Sequence, residues 1–174
     1  MRFSGNAITI QGEHINADSA MGWYLGMDAL PPGEIAARFM VGCDKTIAGT
    51  VQKGDILVCG RDFGFGKIHN SFWTALNYIG IDCIVAESFS TQMLQMAIKN
   101  GKYLIECPHV LSFLKKGEHM EADLELAEIQ RTATGEILRG KPMPEFLVKV
   151  MLEGGQQGFL KKRIMQKLGQ GPMS

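Results

Sequence analysis

The stretch Gly60–Leu76, GRDFGFGKIHNSFWTAL, decides how this chain is read. Three glycines fall within its first seven residues, directly behind the apolar run Asp55–Cys59, and from Asn70 to Ile79 the residues read as a helix. Glycines let the backbone turn sharply between strand and helix, and the first N–H groups of the helix are left pointing outward with partial positive charge. Such a place receives a carboxylate or a phosphate. Lys67 and His69 add two donors where the helix begins. The plainer alternative is that Gly64 and Gly66 only make a tight connection, with Lys67 solvated.

Two known phosphate loops fail on these residues. A Walker loop needs a glycine five residues before Gly66 and Ser or Thr after Lys67, where Arg61 and Ile68 stand. A dinucleotide fingerprint needs glycine or alanine at His69.

Outward from this stretch, apolar runs closed by Gly, Pro, Ser or Asp predict strands at Ala7–Ile10, Asp55–Cys59, Cys83–Ala86 and Tyr103–Glu106. Helices are expected at Asn70–Ile79 and Gln92–Lys99, the second stopped by Gly101. The rhythm is strand-helix-strand-helix-strand, an α/β domain. From Ala122 the period changes to two, with Asp123 and Glu125 alternating with Leu124 and Leu126, and Thr134-Gly135 marks a turn before Ile137 and Leu138. An added antiparallel hairpin with one wet face is expected. Pro144 then opens a helix with an apolar stripe of Phe146, Leu147, Val150 and Met151, ended by Gly154-Gly155. The domain is placed at residues 1–163, with 164–174 as a flexible tail. The region 25–53, carrying Pro31-Pro32-Gly33 and a short helical stretch near Glu34–Val41, reads as a long surface excursion that faces substrate.

Composition sets the class. At 174 residues and 45% hydrophobic, the chain buries a core of its own as about one domain. Its 18 basic and 18 acidic residues give no net charge to draw it to nucleic acid or an anionic membrane. No apolar run approaches the ~20 residues of a membrane span, and the N-terminus lacks a signal peptide's apolar core, so a cytoplasmic location is expected. The cysteines Cys43, Cys59, Cys83 and Cys107 lie 16, 24 and 24 residues apart, which matches no metal or redox spacing. They read as free thiols, no metal ligands are predicted, and His14, His109 and His119 are scattered.

The blocks GDILVCGRDFGFG, ALNYIGIDCIVAESFSTQMLQMAIKNGKYLIEC and MPEFLVKVMLEGGQQGFLKK resemble the small subunit of isopropylmalate isomerase (3-isopropylmalate dehydratase), the separate swivel domain of the aconitase superfamily. Near the start, GEHINADSAMGWYL is similar to the segment where that family carries Asp-Thr-Asp and then Tyr-Leu, and the match runs from about residue 6 to residue 163. The resemblance implies a swivelling three-layer β/β/α domain that closes over the active site of a large subunit, in a hydro-lyase of leucine biosynthesis. It implies that the large subunit holds a [4Fe-4S] cluster through three cysteines, so that this chain carries no cofactor itself. The substrate implied is a small hydroxy acid, and the loop is expected to supply a serine base and an arginine clamp.

The loop departs from that pattern. Where the family has Ser-Ser-Arg-Glu-His, gapless matching puts Lys67, Ile68, His69, Asn70 and Ser71. Asn16 and Asp18 match the early aspartate pair, and Trp23 stands close to where many members have an arginine. Lys67 at the base's position serves either as the base, if its pKa is lowered, or as a clamp on a carboxylate. His69 can donate to one carboxylate oxygen without arginine's bidentate fork. The catalytic candidates are therefore Lys67 and His69. Gly64, Phe65, Gly66, Ile68, Asn70, Ser71, Asn16, Asp18 and Trp23 are the substrate-binding candidates, with helix capping as the other role of Asn70 and Ser71. The reading is a dehydratase subunit acting on a 2-hydroxy di- or tricarboxylic acid, which need not be isopropylmalate. The alternatives are a catalytically silent binding partner that kept the fold, and a stand-alone nucleotide-binding enzyme.

Overall fold

The computed structural model describes residues 1–168. They build one seven-stranded sheet, parallel on one side of its first strand and antiparallel on the other. Strand β1 (Arg2–Ile10) is its seam. The second half, Ala7–Ile10, pairs parallel with β2 (Ile56–Cys59), and the first half, Arg2–Asn6, pairs antiparallel with β5 (His119–Asp123). The strand is longer than its apolar run because Arg2–Asn6 is held by β5, a partner remote in sequence.

Beyond β2 the parallel half continues through β3 (Cys83–Ala86) and β4 (Tyr103–Glu106). Every residue of β2 and β3 is buried, which is why both runs are wholly apolar. Helix α3 (Asn70–Ile79) links β2 to β3, and α4 (Thr91–Lys99) links β3 to β4. Right-handed crossovers between strands added in sequence order put both helices on one face of the sheet. Phe72, Trp73, Ala75 and Leu76 bury one side of α3, and Gly80, at φ 89°, ends it with its N–H on Leu76 O. Ser90 caps α4 by accepting from Met93 N at 3.1 Å.

The region 25–53 is not a solvent-borne excursion. Met27, Ile35, Phe39, Met40 and Ile47 in it are 0–2% exposed, and its helix α2 (Pro32–Ala36) packs on α3. The short helix expected near Glu34–Val41 falls at Pro32–Ala36, and the other apolar side chains are scattered among turns with no period to mark them as a covering layer. Before it come α1 (Ala17–Ala20) and a 3-10 turn, Met27–Ala29.

The antiparallel half has three strands rather than a simple hairpin: β5, β6 (Glu128–Arg131) and β7 (Ile137–Arg139). The turn at Thr134-Gly135 joins β6 to β7. Leu124–Leu126, expected to continue a strand, instead forms the β5–β6 turn, where Asp123 Oδ1 accepts from the N–H groups of Glu125 and Leu126. After β4, α5 (Val110–Phe113) is a single turn, and α6 (Glu145–Leu152) opens after Pro144. In α6 Val148, Val150 and Met151 are buried, whereas Phe146 is 59% exposed and meets Phe159 edge-on at 5.6 Å. Phe159 belongs to helix α7 (Gly155–Lys167), which continues through residues expected to be tail. The tail's last residues, 169–174, lie outside the described residues.

Candidate functional site

The carboxyl ends of β1, β2 and β3 converge on the glycine turn, and in open α/β sheets ligands bind in that position. The turn is braced on both sides. From the β3 side, Ser88 Oγ accepts from Asp62 N (2.8 Å), Ser88 O accepts from Phe63 N (3.0 Å), and Ser90 Oγ donates to Gly64 O (2.7 Å). From the β1 side, Ile15 O accepts from Gly64 N at 2.9 Å. Gly64 and Gly66 both have left-handed backbones, at φ 79° and 75°. A Cβ on Gly64 would fall 2.5 Å from Met93 Cε, and one on Gly66 would fall 2.9 Å from Asn16 Nδ2, so neither glycine only serves the bend.

Asn16 is the central brace. Its Oδ1 caps α1 by accepting from Ser19 N at 2.9 Å, while its Nδ2 donates to Phe65 O at 2.6 Å and to Lys67 O at 3.2 Å. An amide side chain supplies one acceptor and two donors, and all are used. In a trans peptide the N–H points opposite to the C=O of the same unit. Pinning Phe65 O and Lys67 O to Asn16 therefore turns the N–H groups of Gly66 and Ile68 away from it. Among the described residues, no protein acceptor takes the N–H of Phe65, Gly66, Lys67 or Ile68. Four successive free amides in a turn make a concavity of partial positive charge suited to an anion.

The helix that follows is already capped from elsewhere. His69, at φ −82° and ψ 167°, is the N-cap residue of α3, and Asn70 and Ser71 are its first two helical residues, so they do not cap it with their side chains. Asp18 Oδ1 accepts from His69 N at 2.8 Å, and Asp28 Oδ1 accepts from Ser71 N at 2.8 Å. Negative side chains at these amides suit the helix dipole. Two of the amides at the helix start are thus taken by carboxylates, and the longest run of unpaired donors lies in the turn.

Asp18 also holds the His69 ring, with Oδ2 2.5 Å from Nδ1. Trp23 stacks on that ring with centroids 3.9 Å apart and planes 10° from parallel. Trp23 Nε1 and Ser71 Oγ are buried with no hydrogen-bond partner. Lys67 is exposed and makes no hydrogen bond or ion pair with a described residue through its side chain. The Ile68 side chain is only 5% exposed, so this residue offers the site its amide alone, whereas Phe65 is 56% exposed beside it. The Asn70 side chain is exposed. Asp28, Ser88 and Ser90 were invisible to motif reading because each acts on a residue more than twenty positions away.

The cysteines do not fit a metal cluster. Cys59, Cys83 and Cys107 are buried free thiols, Cys43 is an exposed one, and no three His, Cys, Asp or Glu side chains among the described residues are grouped to hold a metal ion. Burial, with a smaller push from Glu87, holds the Cys107 thiol at about 11. Burial raises Cys59 and Cys83 as well. No described helix is long and apolar enough to cross a membrane.

A sheet split at a shared first strand, with a braced glycine turn at its carboxyl edge, defines the swivelling β/β/α class of aconitase-type small subunits. The chain belongs to the 3-isopropylmalate dehydratase small-subunit family. It is 36% identical over 135 residues to the isopropylmalate/citramalate isomerase small subunit of Methanocaldococcus jannaschii, covering 78% of this chain and 80% of that one. It is 34% identical over 130 residues to the 3-isopropylmalate dehydratase small subunit of Caldicellulosiruptor bescii, covering 75% and 78%. The crystal structure of 3-isopropylmalate dehydratase from M. jannaschii superposes with a TM-score of 0.86 at 26% identity, over 98% of this chain and all of that one. No family model matches the chain.

Proposed function

We propose that the chain is the small subunit of a two-subunit hydro-lyase that adds water to, or removes it from, a 2-hydroxy di- or tricarboxylic acid. The observation that carries this reading is the run of four unpaired amides at Phe65–Ile68, with the free ammonium of Lys67 among them, in a chain of this family. One substrate carboxylate rests on the Gly66 and Ile68 amides and is neutralised by Lys67.

Removing water next to a carboxylate needs a base for the α-proton, donors for the charge that develops on the carboxylate, and a Lewis acid for the hydroxyl. The first two are within reach of this turn. A [4Fe-4S] cluster in a large subunit supplies the third when bound there; three of this chain's four thiols are buried, and no three His, Cys, Asp or Glu side chains among the described residues are grouped to hold a metal ion. Phe65, Lys67 and Asn70 are exposed, which leaves the turn accessible to a partner subunit. Loss of the family's serine and arginine at Lys67 and His69 alters the carboxylate-binding geometry, so the preferred acid need not be isopropylmalate.

The test is to co-express the chain with the large-subunit gene of the same organism and purify the complex without oxygen. Hydration of citraconate, maleate and isopropylmaleate is then followed by loss of their ultraviolet absorbance. Turnover of one of these by the complex, and by neither chain alone, is expected. A complex that holds its cluster and acts on none of them overturns the proposal.

A further inference from the structure

Resting on that reading, we propose that Nε2 of His69, oriented by Asp18, moves the substrate proton, and that Lys67 is a carboxylate clamp rather than the base. The Asp18 carboxylate receives two hydrogens from one residue, the His69 N–H at 2.8 Å and Nδ1 at 2.5 Å. An ionised carboxylate only accepts, so Nδ1 carries a hydrogen and Nε2 is the nitrogen left to exchange protons. The ring cannot swing, because it is stacked on Trp23 at 3.9 Å and tethered at its own backbone. Its side chain is 20% exposed, and Nε2 makes no hydrogen bond with a described residue. His69 follows Ile68 directly, so the ring belongs to the residue next to the proposed carboxylate-binding amides.

Lys67 lacks all of these restraints. Proton abstraction from carbon needs a fixed approach, which a free four-carbon stem does not give, while attraction of a carboxylate tolerates it. In dehydration Nε2 takes the hydrogen from the carbon next to the carboxylate, and the C–H electron pair becomes the new C=C bond. The hydroxyl leaves the neighbouring carbon with its bonding pair and becomes water with a proton from solvent. The imidazolium formed on His69 is balanced by Asp18 and returns its proton to solvent, so one water is lost in sum. Hydration is the reverse.

Asp18→Asn separates orientation from folding. The His69 N–H still requires the side-chain oxygen, which turns the NH2 toward Nδ1 and forces the hydrogen onto Nε2. The same kind of substitution in the Ser-His-Asp triad lowers kcat about 10⁴-fold through the wrong tautomer. The chain labelled with ¹⁵N-histidine is expected to show the Nδ1–H form of His69 in the wild type and the Nε2–H form in Asp18→Asn. In the complex, with citraconate, maleate and isopropylmaleate as probes, Asp18→Asn and His69→Gln are expected to lower kcat by about 10²- to 10⁴-fold. Lys67→Ala is expected to raise KM by about 10- to 100-fold and leave kcat within a few-fold. An active wild-type complex whose His69→Gln variant keeps its kcat, or whose Lys67→Ala variant loses it, overturns the assignment. So does an Asp18→Asn variant that shows the swapped tautomer at full turnover. A wild-type complex inert toward all three acids refutes instead the dehydratase reading on which the assignment rests.

Discussion

Replacing Asn16 by Asp changes one NH2 group to an oxygen and separates two jobs that the residue performs at once. The cap on α1 survives, because the remaining oxygen still accepts from Ser19 N, now 2.9 Å away. The donations to Phe65 O at 2.6 Å and Lys67 O at 3.2 Å are lost, and a carboxylate faces two carbonyl oxygens in their place. Two hydrogen bonds at about 1 kcal/mol each set the loss near 2 kcal/mol, because both carbonyls can turn to water. For a chain of this length that lowers the melting temperature by about 4–8 °C. Thermal unfolding followed by circular dichroism measures the loss, with the native far-ultraviolet spectrum unchanged because the cap persists. Amide spectra report on the turn itself, where Gly66 and Ile68 are expected to move most. A variant that melts within a degree of the wild type, with both amides unmoved, would refute the argument that Asn16 sets the direction of the turn.

Gly64→Ala puts a methyl at φ 79° and 2.5 Å from Met93 Cε, and backbone strain plus overpacking are expected to cost about 2–5 kcal/mol, measured by urea unfolding. Lys102, 3% exposed, donates to Ile81 O at 2.7 Å and Asp82 Oδ1 at 2.9 Å; Lys102→Met leaves a buried carbonyl unpaired and is expected to cost about 1–3 kcal/mol in the same assay. Cys43 is expected to be alkylated in the native protein while Cys59, Cys83 and Cys107 are protected until unfolding, as read by mass spectrometry. Because burial raises the Cys107 thiol to about 11, its share of stability is complete below the ordinary thiol value and is lost as pH climbs through 11, so Cys107→Ala should flatten the alkaline fall in melting temperature.

The parallel half of the sheet could be read from the chain because its signals are local. β3, β4 and α3 begin and end where the local pattern puts them: β3 is apolar at every position because it is buried on both faces, and α3 stops at Gly80. The glycine turn was legible for the same reason, as backbone geometry is written in the residues that adopt it. The packing of residues 25–53 onto α3, the full length of β1 and the helix α7 were not, because they depend on partners remote in the chain. Lys67 and His69 stand two positions apart, and from residue identity alone both read as carboxylate donors, with Lys67 the candidate base. What separates them is that Asp18 and Trp23, 51 and 46 positions away in the chain, reach one ring and leave the ammonium alone. Hydrogen bonds and stacking act across space over a few ångströms, and only folding brings such residues within that range.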